Sequence, residues 1–202
     1  MVKILVQETE TSTMSNVNIV VGLSGVGKST VLEEAMKLST EEYEIINYGD
    51  RMLDLAMEKG LVESRDEIKD ISSEEQKKIQ KQAAESIVED AEDGKIIVDT
   101  HAAIKTPHGF LPGLPKWTIE NLEPEHIVIL DASAQEIYDR STSDQGRNRE
   151  HEKVEEIDLY RTVAREMAAA GSVLTGAYLK TIENKSGQAQ QAAQELVSVL
   201  EE

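Results

Sequence analysis

The sequence predicts an α/β fold in which helices cover both faces of a parallel sheet. Two observations predict it: short apolar runs typical of buried strands alternate with longer helical segments, and a glycine-rich loop stands between the first strand and the first helix. The strand candidates are residues 17–22, 42–49, 95–100, 126–131 and, with a weaker pattern, 178–184. The runs KIIVDT and HIVILD are apolar through their middle and carry an aspartate near the end, as expected of parallel strands buried on both faces.

Helical segments fill the gaps between these strands. We expect helices over residues 29–38, 51–60, 63–71, 72–94, 134–141, 154–170 and 187–202. In the longest of them, Ser73 precedes Gln76 by three residues, which is the spacing of a capping box, and Ile79, Ala83 and Ile87 continue one apolar stripe. No internal repeat or low-complexity linker interrupts residues 17–202, which predicts one compact domain after a polar tail at residues 1–16.

The charge balance restricts the possible partners. With 39 acidic and 21 basic residues among 202, the chain has a formal net charge of -18. Nucleic acid and anionic membranes both need a basic face, so we expect neither as a partner. The acidic excess indicates a solvated surface, with adaptation to high salt as the alternative. The chain has no cysteine, which fits a cytoplasmic location, and no apolar run approaches the roughly 20 residues of a membrane span.

The glycine-rich loop follows the pattern G-x-x-x-x-G-K-[ST]. It comprises Gly22, Leu23, Ser24, Gly25, Val26, Gly27, Lys28 and Ser29, followed by Thr30. In this pattern the glycines let backbone N–H groups surround a phosphate at the N-terminus of the following helix. Because the loop lies between a predicted strand and a predicted helix, we interpret it as a phosphate-binding P-loop. Lys28 would neutralise the β and γ phosphates, and Ser29 would help to hold Mg²⁺.

Asp99 is the second candidate ligand for magnesium. It ends the strand candidate at residues 95–100, and a carboxylate at the C-terminal edge of a parallel sheet can bind Mg²⁺ through water. The alternative is a helix cap or a loop acceptor. A P-loop is shared by GTPases, motor ATPases and small-molecule kinases, but the chain has no N-K-x-D signature for guanine, which disfavours a GTPase.

Two groups of basic residues are candidates for contacts to anionic substrates. One lies at about residues 50–93, which we interpret as a helical insertion over a second substrate: Arg51, Arg65 and Lys69. The other lies at or near a glycine-containing segment at about residues 141–153, which we interpret as a short lid: Arg140, Arg147 and Arg149. Guanidinium groups suit paired hydrogen bonds to phosphoryl oxygens, and a closing lid excludes water from the transfer. The alternative for each is an ion pair with a neighbouring glutamate.

From about Val17 to Leu200 the chain resembles the archaeal-type adenylate kinases, which are P-loop nucleoside monophosphate kinases. The resemblance is carried by GLSGVGKST, INYGD followed by GLVESRDEI, SEEQKKIQKQAA, IIVDTHAAIKTPHGFLPGLP, GRNRE and SVLTGAYLKTIENKSG. It implies a three-layer α/β/α P-loop NTPase fold with a five-stranded parallel sheet, a helical AMP-binding insertion and a short lid. It also implies phosphoryl transfer from Mg-ATP to AMP, and a possible homotrimer.

The resemblance also implies roles for individual residues. It locates the ATP phosphates on the P-loop, where Lys28 acts in catalysis. It assigns contacts with the transferring phosphoryl group to Arg140, Arg147 and Arg149, with Arg165 as a further candidate. It locates AMP at five positions: Arg65, Lys69, Thr100, His101 and Lys105. Lys69 stands where a second arginine is expected, four residues after Arg65; lysine keeps the charge but lacks the bidentate fork. Trp117 is interpreted as a packing residue.

The sequence therefore predicts a Mg²⁺-dependent adenylate kinase that converts ATP and AMP into two ADP. One alternative is another small-molecule or nucleoside monophosphate kinase on the same loop, for which a hydroxyl acceptor would need a base such as Asp99 or Asp50. The other is an ATPase switch or interaction module, which would hydrolyse ATP without a second nucleotide.

Overall fold

The computed structural model describes residues 15–143 and 153–202, apart from the side chains of Asp66, Lys69 and Ser143. Seven strands lie in these ranges: β1 (Val17–Val21), β2 (Tyr43–Asn47), β3 (Lys95–Thr100), β4 (Ala103–Thr106), β5 (Gly109–Pro112), β6 (His126–Asp131) and β7 (Tyr178–Glu183). Five of them form a sheet in the order β2-β3-β1-β6-β7, and every neighbouring pair is parallel. The other two, β4 and β5, form an antiparallel hairpin.

The described ranges contain seven α-helices: α1 (Lys28–Leu38), α2 (Tyr48–Glu58), α3 (Ser73–Asp90), α4 (Lys116–Leu122), α5 (Ala134–Ser143), α6 (Val154–Thr175) and α7 (Ala189–Leu200). A 3₁₀ helix (Arg65–Asp70) joins α2 to α3.

The sheet separates two hydrophobic cores. Alternate residues of β1 point to opposite faces, so Ile19 packs with α2, α3, α4 and α6, whereas Val20 packs with α1, α5 and α7. Both residues have no exposed surface. Burial on both faces explains why the central strands are continuous apolar runs. The predicted three-layer α/β/α fold with five parallel strands is confirmed.

The sheet order determines where a ligand can bind. In the sheet, β3 and β2 lie on one side of β1, and β6 and β7 lie on the other. The direction in which strands are added therefore reverses at β1. In open α/β sheets, ligands bind outside the carboxyl ends of the strands at such a position. The P-loop follows β1 directly, and Thr100 and Ile129 are the residues paired with Val21 on the two neighbouring strands.

The structure corrects several predicted elements. The second strand ends at Asn47 and not at residue 49, because the Asn47 side chain accepts a hydrogen bond from Asp50 N and caps α2. Residues 65–70 form a 3₁₀ helix rather than part of an α-helix. Ser72, and not Ser73, caps α3, and its hydroxyl accepts from Glu75 N at 3.2 Å. The β4–β5 hairpin and α4 were not predicted.

Within the two described ranges, no helix is long and apolar enough to span a membrane.

Candidate active site

The P-loop backbone depends on its glycines. Gly25 and Gly27 have φ values of 91° and 88°, in the left-handed region that L side chains rarely adopt. A Cβ on Gly22 would lie 2.8 Å from Leu130 O, and a Cβ on Gly27 would lie 2.6 Å from Asn184 Nδ2. The loop is therefore packed closely against the ends of β6 and β7, and it directs its backbone towards the N-terminus of α1.

Lys28 begins α1, and its ammonium is directed towards the end of β3. It forms an ion pair with Asp99 and donates a hydrogen bond to Thr100 O at 2.7 Å. Burial lowers the pKa of Lys28 from its usual value, while the Asp99 carboxylate opposes that shift. Asp99 also accepts from Asn47 Nδ2 at 3.1 Å, and the two residues are paired across β2 and β3. The lysine charge is thus balanced by the Asp99 carboxylate.

The candidate magnesium ligands are Asp99, which belongs to this ion pair, and Ser29. Ser29 follows Lys28 in the first turn of α1 and is exposed, and Asp99 contributes a carboxylate. Hydroxyl and carboxylate oxygens are hard ligands that suit Mg²⁺, which commonly binds through one or two protein oxygens, phosphate oxygens and water. In residues 15–143 and 153–202, no group of three or more His, Cys, Asp or Glu side chains could hold a metal by itself. The donor set fits a magnesium ion that binds together with nucleotide.

Arg140 and Asn184 support the P-loop from the β7 side. Arg140 donates to Val26 O at 3.0 Å and to Asn184 O at 2.9 Å, and Asn184 Nδ2 donates to the same Val26 carbonyl at 2.8 Å. Asn184 is 4% exposed. Arg140, predicted to contact the transferring phosphoryl group, thus holds the loop backbone in this structure. Arg147 and Arg149 lie outside the described residues.

A cavity of about 510 Å³ opens beside the P-loop at the C-terminal edge of the sheet. Its walls come from β2, α2, the 3₁₀ helix, α3, the end of β3, the hairpin with its following turn, and α6. The lining residues are Asn47, Tyr48, Gly49, Met52, Arg65, Ile68, Gln76, Gln80, Thr100, His101, Ile104, Gly113 and Tyr160. This volume lies within the usual range of small-molecule sites.

Three of the five predicted AMP-binding residues line this cavity: Arg65, Thr100 and His101. Arg65 forms an ion pair with Asp50 in the first turn of α2. Lys105 is not among the lining residues, and its ammonium lies 3.2 Å from Glu156 on α6. The backbone of Lys69 belongs to the 3₁₀ helix, but its side chain lies outside the description.

Arg51 and Arg161 form ion pairs within the protein. Arg51 contacts Ser86 and lies 2.7 Å from Asp90, so it joins α2 to α3 as an ion-pair residue. Arg165 is exposed on α6, whereas Arg161 makes a bidentate pair with Asp131 at 2.8 and 2.9 Å.

Several residues of the site were not identified from the sequence. Asn47 ends β2, and Asn184 directly follows β7; a polar residue at the carboxyl end of a strand is the signal that could have identified both. Gln76 and Gln80 lie among many polar residues of α3, and nothing in the sequence distinguishes them. Their position in the cavity follows only from the way α3 packs against α2 and α4.

The parallel sheet and the P-loop with its partly buried lysine define a P-loop protein. The cavity next to the P-loop offers room for a second substrate, as expected of a kinase. A family model described as an AAA domain matches residues 21–158. The chain is 48% identical over 183 residues to the adenylate kinase of Methanothermobacter thermautotrophicus, covering 91% of this chain and 98% of that protein. It is 43% identical over 189 residues to the adenylate kinase of Methanocaldococcus jannaschii, covering 92% and 98%.

Among solved structures, shikimate kinase from Bacteroides thetaiotaomicron aligns with a TM-score of 0.51 at 14% identity, covering 92% of this chain and 98% of that one. This likeness shows the fold alone. The sequence relatives show more: the chain belongs to the adenylate kinase family of phosphotransferases. The family resemblance stated from the sequence is confirmed.

Proposed function

We propose that this chain transfers the γ-phosphoryl group of ATP to AMP and yields two ADP. The observation that supports it is the junction of the two sites. Lys28 Nζ donates to Thr100 O, and Thr100 lines the cavity of about 510 Å³. A donor bound at the P-loop and an acceptor bound in the cavity would therefore meet next to one partly buried cation.

Lys28 is the proposed catalytic residue. In this structure the Asp99 carboxylate balances its charge, and the ammonium also donates a hydrogen bond to the Thr100 carbonyl. Nucleotide phosphates would replace these partners, and the ammonium would neutralise charge that shifts towards the leaving oxygen during transfer. A preorganised cation in a partly buried site stabilises such charge more strongly than one in water.

Ser29 and Asp99 are the residues that would hold Mg²⁺ with the nucleotide, through the serine hydroxyl and the carboxylate. The ion would supply further positive charge to the phosphate oxygens. Release of Asp99 from Lys28 on nucleotide binding would make its carboxylate available for this role.

The acceptor side is assigned to Arg65, Thr100 and His101. Arg65 would exchange Asp50 for the AMP phosphate, to which its planar fork can donate two hydrogen bonds. His101 is assigned to binding rather than to proton transfer, because an acceptor phosphate is already anionic near neutral pH. Lys69 and Lys105 stay predicted contacts of AMP.

The predicted phosphoryl contacts of Arg140, Arg147 and Arg149 also stay proposals. Arg140 contacts the P-loop at Val26 O, which keeps its guanidinium next to the loop that would bind the phosphates.

A phosphate acceptor fits the site better than a hydroxyl acceptor does. A hydroxyl must lose a proton, and the candidate bases were Asp99 and Asp50. Both carboxylates are engaged with cations, Asp99 with Lys28 and Asp50 with Arg65. A hydroxyl acceptor would need one of these carboxylates to leave its cation and take up the proton, whereas a phosphate acceptor needs no base.

A coupled assay tests the proposal. Purified protein is supplied with Mg²⁺ and ATP, first alone and then with AMP, CMP, UMP or GMP. We expect ADP formation that depends on AMP and stops when EDTA is added. ATP hydrolysis at an equal rate without any monophosphate would instead identify an ATPase.

The remaining expectations concern the protein's state and location. We propose a homotrimer, as the family resemblance implies, and sedimentation equilibrium tests it. A cytoplasmic location is proposed from the absence of cysteine in the sequence.

A further inference from the structure

We propose that Gln80 determines the choice of acceptor base and that Trp117, which lies outside the cavity, is the residue that positions it. The inference rests on the proposed transfer to AMP. Gln80 lines the cavity from α3, and Trp117 belongs to α4, which packs on α3.

The orientation of the Gln80 amide is set by chemistry. Trp117 Nε1 lies 2.9 Å from Gln80 Oε1. An indole nitrogen can only donate, so the amide oxygen must be the atom that accepts. This assignment distinguishes the two ends of the amide, which have nearly the same shape.

The backbone of Gln80 is held as well. Tyr48 donates its hydroxyl proton to Gln80 O at 2.7 Å, and the same hydroxyl lies 3.1 Å from Thr118 Oγ1. Burial raises the pKa of Tyr48, so this hydroxyl stays a donor at any physiological pH. Gln80 is therefore fixed at its backbone by Tyr48, which also lines the cavity, and at its side chain by Trp117, which does not.

Trp117 holds the amide oxygen on its own side, so the NH₂ group is the end of the Gln80 amide that remains for a ligand. Within residues 15–143 and 153–202, the structure contains no acceptor bonded to Gln80 Nε2. An N–H donor pairs with a base whose ring nitrogen accepts, as N1 of adenine does. The same donor disfavours the binding of hypoxanthine and guanine, whose N1 carries a proton. Two N–H donors would then face each other with no acceptor between them.

Gln76 lies one helical turn before Gln80 and also lines the cavity. The described residues contain no donor that fixes its amide, so it can present either its oxygen or its NH₂ group to a base. It therefore cannot discriminate between the two types of base edge in the way that Gln80 can.

The probe is the pair AMP and inosine monophosphate, which differ only at position 6 and in the proton on N1. The quantity measured is the ratio of kcat/KM for AMP to kcat/KM for inosine monophosphate. Any general change in binding of phosphate or ribose cancels in this ratio. In the parent protein we expect AMP to be preferred by at least about tenfold.

Two substitutions act on the amide in different ways. Trp117→Phe keeps an aromatic ring but removes the N–H donor, so the amide can rotate and the ratio should fall by about five- to tenfold. Gln80→Glu keeps the shape but replaces the NH₂ group with an acceptor, so the ratio should fall by more than about tenfold in favour of inosine monophosphate. The KM for ATP should change by less than about twofold in both.

Lys77→Met is the matched control. The Lys77 ammonium lies 4.5 Å from the centroid of the Trp117 ring, so this substitution alters the surroundings of Trp117 but leaves its hydrogen bond to Gln80. The ratio should stay within about twofold of the parent value. An equal fall in Lys77→Met and Trp117→Phe would overturn the proposal, because repacking alone would then explain it.

The inference is wrong if either Trp117→Phe or Gln80→Glu still phosphorylates AMP and keeps the parent ratio. Trp117→Phe is decisive alone should Gln80→Glu not fold. Absence of AMP-dependent ADP formation in the parent protein would instead refute the proposed function, and this inference with it. If the parent is active and the variants keep its ratio of kcat/KM for AMP to kcat/KM for inosine monophosphate, only the role of Gln80 and Trp117 is refuted.

Discussion

Replacement of Gly113 by alanine should disrupt the acceptor cavity and leave the P-loop intact. Gly113 lines the cavity, and its N–H donates to Ala102 O at 2.9 Å. A Cβ at this position would lie 1.8 Å from His101 O and 2.8 Å from His101 C. These are backbone atoms, so no side-chain rotation can relieve the contact.

The size of the effect follows from that distance. Real Cβ contacts are essentially never shorter than 3.0 Å, so the chain around Gly113 or His101 must move by at least about 1.2 Å. Overpacking of this kind costs about 1–3 kcal/mol. For a chain of this length, each kcal/mol lowers the melting temperature by about 2–4 °C, which predicts a loss of about 2–12 °C.

The kinetic effect should be confined to one substrate. His101 and Thr100 form part of the cavity wall that would move, so the KM for AMP should rise several-fold, whereas the KM for ATP should change by less than about twofold. Initial rates measured against each nucleotide, with the other saturating, give both values. Differential scanning calorimetry gives the melting temperature.

Gly94→Ala is the matched control for Gly113→Ala. Gly94 lies in the turn before β3; a Cβ there would meet no atom within 4 Å, and its φ lies outside the left-handed region. Alanine at such a position reduces the entropy of the unfolded chain, so the melting temperature should stay unchanged or rise slightly. A Gly113→Ala protein that melts within about 1 °C of the parent and keeps its KM for AMP would refute the reasoning.

Three further predictions concern single side chains. Arg65→Ala should raise the KM for AMP at least about tenfold through loss of a charged hydrogen-bond donor, with Arg65→Lys intermediate; a larger rise for ATP in the same assay would reverse the substrate assignment. Asn184→Ala should cost about 1–2 kcal/mol and raise the KM for ATP more than that for AMP, because Asn184 Nδ2 holds Val26 O in the P-loop; equal effects on both substrates in initial-rate measurements would contradict this. Glu136 accepts hydrogen bonds from the Ser133 side chain and from Ser186 N, which lower its pKa to about 2. A lowered carboxyl pKa gives stability that is present above the ordinary value and lost as the pH falls towards 2, so Glu136→Gln should lower the urea midpoint at pH 7 and should converge with the parent in acid; a constant difference at all pH values would be the contrary result.

The sheet was predictable from the sequence because its central strands are buried on both faces. β1, β3 and β6 each carry a continuous apolar run, and the P-loop that follows β1 has a fixed pattern. The pairs of strands that become neighbours were not predictable, since parallel strands are joined through helices and no local signal gives their order. The end of β2 was predicted two residues too late, because the Asn47 side chain caps α2 and so stops the strand at that residue.

The β4–β5 hairpin was missed for a physical reason. Each strand has four residues, most of them at least partly exposed, and Pro112 stands in the second. Such strands carry no strong alternation and no apolar run. What holds the hairpin is tertiary: Tyr160 on α6 donates its hydroxyl proton to Ala103 O at 2.9 Å, and its ring lies 5.2 Å from that of Phe110.

Some residues of the candidate site were predictable from the sequence and others were not. Lys28 and Asp99 were predicted because they belong to a motif or to the end of a recognisable strand, and Thr100 because the family resemblance implied it. Gln80 and Asn184 act through partners that are distant in the sequence: Trp117 lies 37 residues from Gln80, and Val26 lies 158 residues from Asn184. Contacts over such separations depend on the packing of whole elements, which a single sequence does not reveal.

The most direct test of the central claim follows the phosphoryl group itself. ATP labelled with ³²P at the γ position is incubated with Mg²⁺, AMP and the parent protein, and the products are separated by chromatography. The account predicts that the label appears in the β-phosphate of ADP, and that Lys28→Met slows this transfer by at least about 10² while circular dichroism shows an unchanged fold. Label released as inorganic phosphate at a rate that does not depend on AMP, or transfer at the parent rate in a folded Lys28→Met protein, would contradict it.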